Sequence, residues 1–158
     1  MVTHFTASRA KMPTQFAHEH HLAELSVQRA SALTKQVLRS ITDPSNSFSK
    51  AASTPVIIAD FAAQALLISA IHAAFPNDRF VGESADALRS DPDLCQKVWE
   101  LVKSTRLEHE ESEGLLAGVK SVEELFGVID LGGTGTGGGE GKVWMLDPID
   151  GTATFQQG

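Results

Sequence analysis

Val143-Trp144-Met145-Leu146-Asp147-Pro148-Ile149-Asp150-Gly151-Thr152 is the stretch to which the rest of the chain answers. Its first four residues are mostly apolar and read as a buried strand, and a polar, sharply turning segment follows at once. Pro148 fixes its own φ and biases Asp147 towards extended backbone, so Asp147 and Asp150 can converge on one point from either side of a rigid corner. Gly151 lets the backbone come close to a ligand, and Thr152 places a hydroxyl where a helix can begin. Two carboxylates, a carbonyl free to turn outwards and a helix N-terminus suit a divalent cation beside a phosphate.

The 158 residues suffice for one domain with a real core. Hydrophobic content of 42% and charged content of 21% are ordinary for a globular chain. A net charge of −7, with no Lys/Arg run, argues against binding a nucleic acid polymer. A small anionic substrate stays open, because a bound metal reverses the sign of the local field. Cys95 is the sole cysteine, which excludes an intrachain disulfide and a cysteine zinc cluster and fits a cytoplasmic protein. No apolar run is read as approaching the roughly 20 residues that span a bilayer, so no membrane is expected. Residues 1–18 read as a poorly ordered N-terminal extension. Arg9 and Lys11 without an acid before Phe16 make an organellar transit peptide the weaker alternative.

From Glu19 to Ile41, Leu22, Leu25, Ala30, Leu33, Val37, Leu38 and Ile41 recur at helical spacing. They predict an amphipathic helix with Arg29, Lys35 and Arg39 largely off its apolar face. His18, His20 and His21 lie at its start without a partner cluster and read as a solvated run. Asp43 to Ser47 is a turn. Asp60 opens a second, buried helix from Phe61 to about Ala74, and taken alone is its N-cap. Arg79-Phe80-Val81 reads as a short strand ended by Gly82-Glu83-Ser84. Glu83 falls where sheet-edge sites form, although in isolation a plain surface glutamate is the better reading.

Asp91-Pro92 is a helix start, with Leu94, Val98, Leu101 and Val102 behind it as the apolar face and Cys95 and Trp99 flanking core. The glutamate-rich run from Arg106 to Gly114 reads as a solvated helix or loop. Ser121-Val122-Glu123-Glu124 is a capping box that starts another amphipathic helix. Residues 132–141, GGTGTGGGEG, formally contain G-x-G-x-x-G at Gly133, Gly135 and Gly138. A strand and not a helix follows, and Lys142 is followed by Val143, so neither a dinucleotide fingerprint nor a Walker loop fits. A flexible, hairpin-like connection is expected.

Trp144 to Phe155, W-M-L-D-P-I-D-G-T-A-T-F, resembles the signature of the inositol monophosphatase superfamily of magnesium-dependent, lithium-sensitive phosphatases. Two further pieces fall in that family's order. Pro55-Val56-Ile57-Ile58-Ala59-Asp60 resembles its P-V-T-x-A-D segment, and Phe80-Val81-Gly82-Glu83 resembles its V-G-E-E element. Asp60-Phe61-Ala62-Ala63-Gln64-Ala65 is similar to the D-Y-A-A-Q segment of the fungal 3'(2'),5'-bisphosphate nucleotidases. The long separation between Glu83 and Asp147 is also similar to that branch.

The resemblance implies a fold, a reaction and a ligand set. The fold is a layered α/β (α+β) sandwich, here the N-terminal helices plus part of a mostly antiparallel sheet. Residues 19–158 would be a partial N-terminal phosphatase domain, without the C-terminal domain that supplies another metal-ligand aspartate and most base contacts. Glu83, Asp147, Asp150 and the Ile149 carbonyl are implied as ligands of Mg²⁺, two or more ions in a complete enzyme. Asp60 and Thr152 are implied to orient the attacking water, and the N–H groups of Gly151 and Thr152 to hold the phosphate. The implied reaction is hydrolysis of the small-molecule substrate 3'-phosphoadenosine 5'-phosphate to AMP and phosphate, in sulfate assimilation, by a monomeric enzyme. An incomplete site predicts little or no turnover by the 158-residue chain, and a sheet that ends early predicts exposed apolar surface and self-association. Ser84 in place of a second acid, Ile57 in place of threonine and Ala153-Thr154 in place of Lys-Gly depart from the pattern. They keep open an inositol or sugar phosphate phosphatase, and a non-catalytic remnant.

Overall fold

The computed structural model describes residues 14–42, 55–136 and 141–149. In chain order they form a 3₁₀ turn (Thr14–Phe16), α1 (Ala17–Thr42), α2 (Pro55–Ala74), β1 (Arg79–Val81), α3 (Asp86–Ser90), α4 (Pro92–Ser104), α5 (Glu110–Glu113), α6 (Val122–Asp130), a 3₁₀ turn (Leu131–Gly133) and β2 (Val143–Met145). The end of the expected N-terminal extension is therefore helical, since α1 already runs from Ala17.

α2 is the axis of the fold. It is buried on every side from Phe61 to Ile71, with α1 along one flank and α4 and α6 along others. At 20 residues it is also long and apolar enough to cross a bilayer by length and composition, which corrects the expectation that no such run exists. Its surface is already spent on Leu33, Val37, Val98, Leu101, Leu125 and Ile129 of the neighbouring helices, as in the core helix of a globular domain. The helix begins at Pro55, not after Asp60. Proline is favourable at the first helical position, and burial of Val56, Ile58 and Ala59 overrides the extended preference of their β-branched run. Asp60 thus lies inside the helix, past its first turn, and is no N-cap.

The sheet also departs from expectation. β1 and β2 pair in parallel, with Arg79 opposite Val143, Phe80 opposite Trp144 and Val81 opposite Met145, so no antiparallel pairing exists among the described residues. The reason lies in the connection. Helices α3 to α6 carry the chain back to the end of the sheet from which β1 started, and such a crossover yields parallel strands. Phe80 is fully buried against Ile68 and Ile71 of α2. β2 is not the buried strand anticipated, because Val143 and Met145 point outwards and Met145 is 82% exposed. Only Trp144 and Leu146 turn towards the core. With Val27 of α1, Met145 borders an open cleft of about 500 Å³.

Two glycines of the tract pair with β1. Gly132 and Gly135 lie along the edge of β1 opposite β2, where Gly82 N–H donates to the Gly132 carbonyl (2.9 Å) and Gly135 N–H donates to the Phe80 carbonyl (2.7 Å). A Cβ on Gly135 would stand 2.4 Å from Val81 Cγ2 and 2.7 Å from the Phe80 carbonyl oxygen, so only glycine allows this approach. Residues 137–140 of the tract lie outside the described residues.

One cation belongs to the interior. Arg29, expected off the apolar face of α1, is fully buried. Its guanidinium donates to the carbonyls of Leu66 (3.0 Å) and Ala117 (2.9 Å) and to Glu113 Oε1 (3.3 Å). Glu113 also accepts from Leu107 N–H (2.8 Å), so one residue of the acidic run ties α1 to the segment before α5, while Arg29 itself reaches α2 and the segment after α5. The two expected caps are present. Asp91 accepts from the N–H groups of Asp93 (3.1 Å) and Leu94 (3.0 Å), and Ser121 accepts from Glu124 N–H (3.1 Å). Cys95 is buried in the core, and His18, His20 and His21 are exposed, as read from the sequence.

Candidate active site

The candidate site gathers where α2, the end of β1 and the chain leaving β2 meet. Asp60 comes from α2, Glu83 follows β1 by two residues, and Asp147 and Ile149 follow β2. Parallel pairing is what brings them together, because both strands deliver their C-terminal ends to the same edge. Glu83 and Asp147 are exposed, Ile149 is buried, and Asp60 is half-buried.

Asp60 carries the electrostatic signature of the site. Burial, with the negative charges of Glu83 and Asp147 behind it, pushes its carboxyl from 3.8 up to about 6, and a backbone hydrogen bond from Ile149 acts in the opposite direction. No basic group figures among these influences. Its Oδ1 is buried and has no hydrogen-bond partner among the described residues. An unsatisfied buried carboxylate oxygen costs on the order of 1–3 kcal/mol, and such atoms concentrate at functional sites.

These donors fit a hard divalent cation in their chemistry. They are oxygens, the carboxylates are anionic, and one of them lacks a partner among the described residues. The described residues alone do not complete a cage, for no three acidic, histidine or cysteine side chains among them draw together as a metal cluster. Asp150, Gly151 and Thr152 lie outside the described residues. For Ile149, the hydrogen bond seen is donated by its N–H to Asp60.

The loop carrying Glu83 is held at successive backbone groups. Gly82 N–H donates to the Gly132 carbonyl at 2.9 Å. Glu83 N–H donates to Gln64 Oε1 (2.9 Å), while Gln64 Nε2 donates back to the Glu83 carbonyl (2.8 Å). Ala85 N–H donates to Asp130 Oδ1 (2.9 Å), and Asp130 is itself paired with Arg89. Ser84, which replaces the expected second acid, donates to Asp86 Oδ2 (3.0 Å). Gln64 and Asp130 were not singled out by sequence reasoning. Gln64 was legible in principle as an uncharged polar residue in an apolar helix, one turn beyond Asp60.

The inositol monophosphatase family profile matches residues 18–158. A relative from Emericella nidulans named 3'(2'),5'-bisphosphate nucleotidase is 45% identical over 145 residues, covering 90% of this chain and 40% of its own length. One of the same name from Schizosaccharomyces pombe is 42% identical over 147 residues, with 90% and 41% covered. An Arabidopsis thaliana relative named 3'(2'),5'-bisphosphate nucleotidase 1 is 31% identical over 149 residues, with the same two coverages. The chain spans about two fifths of the length of these curated relatives. It belongs to the inositol monophosphatase family.

Proposed function

We propose that this member of the inositol monophosphatase family contributes the acidic half of a Mg²⁺-dependent phosphomonoesterase site of the 3'(2'),5'-bisphosphate nucleotidase type. The carrying observation is Asp60, whose buried Oδ1 has no partner among the described residues and whose carboxyl feels the charges of Glu83 and Asp147. The names of the relatives support the substrate class, a small nucleotide carrying a 3'-phosphate beside a 5'-phosphate, such as 3'-phosphoadenosine 5'-phosphate. Its hydrolysis would clear a by-product of sulfate assimilation in the cytoplasm.

Glu83, Asp147, Asp150 and the Ile149 carbonyl would hold Mg²⁺, which when bound offsets phosphate charge and lowers the pKa of a coordinated water. Asp60, as an acceptor at Oδ1, would orient the water for in-line attack with Thr152. Water oxygen bonds to phosphorus, the bond from phosphorus to the ester oxygen breaks, and the ester oxygen leaves as a hydroxyl once protonated. The backbone N–H groups of Gly151 and Thr152 would cradle the phosphate oxygens.

Phosphate release tests the proposal, measured on this chain and on a chimera in which the Emericella nidulans relative supplies its unmatched portion. With Mg²⁺, the chimera should hydrolyse 3'-phosphoadenosine 5'-phosphate in preference to inositol 1-phosphate, and Li⁺ should inhibit it. The chain alone should show little or no turnover. Preference for inositol 1-phosphate would move the assignment to the inositol phosphatases. A folded but inert chimera would leave a non-catalytic remnant.

A further inference from the structure

We infer that Gln64 is a positioning residue that holds Glu83 at its working distance from Asp60, an inference that rests on the phosphatase reading of the site. Gln64 is 1% exposed, yet its carboxamide is fully used. Oε1 accepts from Glu83 N–H at 2.9 Å, and Nε2 donates to the carbonyls of Glu83 at 2.8 Å and Ile129 at 3.3 Å. The two bonds to Glu83 engage both of its backbone groups, as a neighbouring strand would, where β1 has already ended at Val81. They fix the backbone of Glu83 while its carboxylate stays exposed and free to bind.

Two glycines are shaped around this contact. A Cβ on Gly82 would lie 2.6 Å from Gln64 Oε1. A Cβ on Gly132 would lie 2.8 Å from the Glu83 carbonyl oxygen and 3.0 Å from Gln64 Nε2. Contacts below 3 Å force something to move, so either methyl group would separate the carboxamide from Glu83. Asp60 stands one turn before Gln64 on the same rigid helix. A displacement of Glu83 relative to Gln64 is therefore a displacement relative to Asp60. Residues that orient metal ligands without touching the ion commonly govern affinity by about 10–100-fold when removed.

The test uses the whole chain and Mn²⁺ as a spectroscopic stand-in for Mg²⁺. Electron paramagnetic resonance reports Mn²⁺ binding, hydrogen exchange reports the Glu83 amide, and urea unfolding reports stability. Gln64→Met keeps the length and removes the hydrogen bonds. It should speed exchange at Glu83 while the amides of α2 stay protected, and weaken Mn²⁺ binding at least 10-fold. Gly82→Ala dislodges the same carboxamide without deleting it and should reproduce both effects, which keeps the inference exposed if Gln64→Met does not fold. Leu25→Ala, a core truncation elsewhere, should lower stability and leave Mn²⁺ binding unchanged. In a Glu83→Ala background, Gln64→Met should cause no further loss of binding. Unchanged Glu83 exchange, or unchanged Mn²⁺ affinity, in a folded Gln64→Met or Gly82→Ala chain overturns the positioning role. No Mn²⁺ binding by the unsubstituted chain would instead count against the phosphatase reading itself.

Discussion

Replacing Asp60 with Asn should stabilise the metal-free chain at neutral pH. The carboxyl is raised from 3.8 to about 6, so ionising it costs more in the folded state than in the unfolded one. At about 1.4 kcal/mol per pKa unit, the ceiling on that cost is about 3 kcal/mol. Part of it comes from the exposed carboxylates of Glu83 and Asp147, whose influence solvent and salt screen, which brings the expected gain to about 1–2 kcal/mol. Below about pH 4 both states hold the proton and the cost is absent. Between about pH 4 and 6 the unfolded state ionises first, and the natural chain loses stability as pH rises. Above about pH 6 the loss is complete and constant. Asn keeps the size and an oxygen for the Ile149 N–H but cannot ionise. Urea unfolding in EDTA, read from Trp99 and Trp144, should therefore show Asp60→Asn ahead at pH 7.5 and level with the natural chain near pH 4. Saturating Mg²⁺ should narrow or reverse the gap, because only a chain that binds the ion gains from mass action. A natural chain more stable than Asp60→Asn at pH 7.5 in EDTA, or an offset that ignores pH, would refute the account of Asp60.

Other substitutions probe the frame around the site. Gly127 lies inside α6 with nothing within 4 Å of an added Cβ, so Gly127→Ala should raise stability by about 0.5–1 kcal/mol. Gly135→Ala meets Val81 Cγ2 and the Phe80 carbonyl, and should lower it by about 2 kcal/mol or more in the same urea assay. Arg29→Leu strips the guanidinium from two carbonyls and Glu113, and the expected loss is about 3 kcal/mol. Asp91→Ala removes the cap of α4 and should cost about 1 kcal/mol by thermal or urea unfolding.

Much of the frame is written in local pattern. α1, the caps at Asp91 and Ser121, and the strand at Arg79–Val81 follow from periodicity and from side chains that bond within a few residues. The misreadings share one cause, tertiary context overruling local preference. Val56-Ile57-Ile58 favours extended backbone alone and becomes helical because Val56 and Ile58 pack into the core with α1 and α4. Arg29 reads as a surface cation by its type, and is interior because Glu113 and two carbonyls meet it there. The parallel sheet depends on the path of four helices, which no window of sequence contains.

At the site the same division separates the acids from what spaces them. Asp147 is legible in the strand and proline corner it occupies, Asp60 and Glu83 only through the resemblance of their segments to the family's motifs, and in the structure the charges of Glu83 and Asp147 act on Asp60. Their spacing is set elsewhere, by Gln64 gripping both backbone groups of Glu83 and by glycines at 82 and 132 that leave room for the grip. Backbone contacts of this kind have no fixed sequence offset, so the sequence displays only their residue: a glutamine with no apolar reason to be buried, and glycines in a tract that looks like a linker. A buried polar residue one turn from a candidate acid, and a glycine run that ends against a strand, are therefore better guides to how a site is held than the flexibility such residues ordinarily imply.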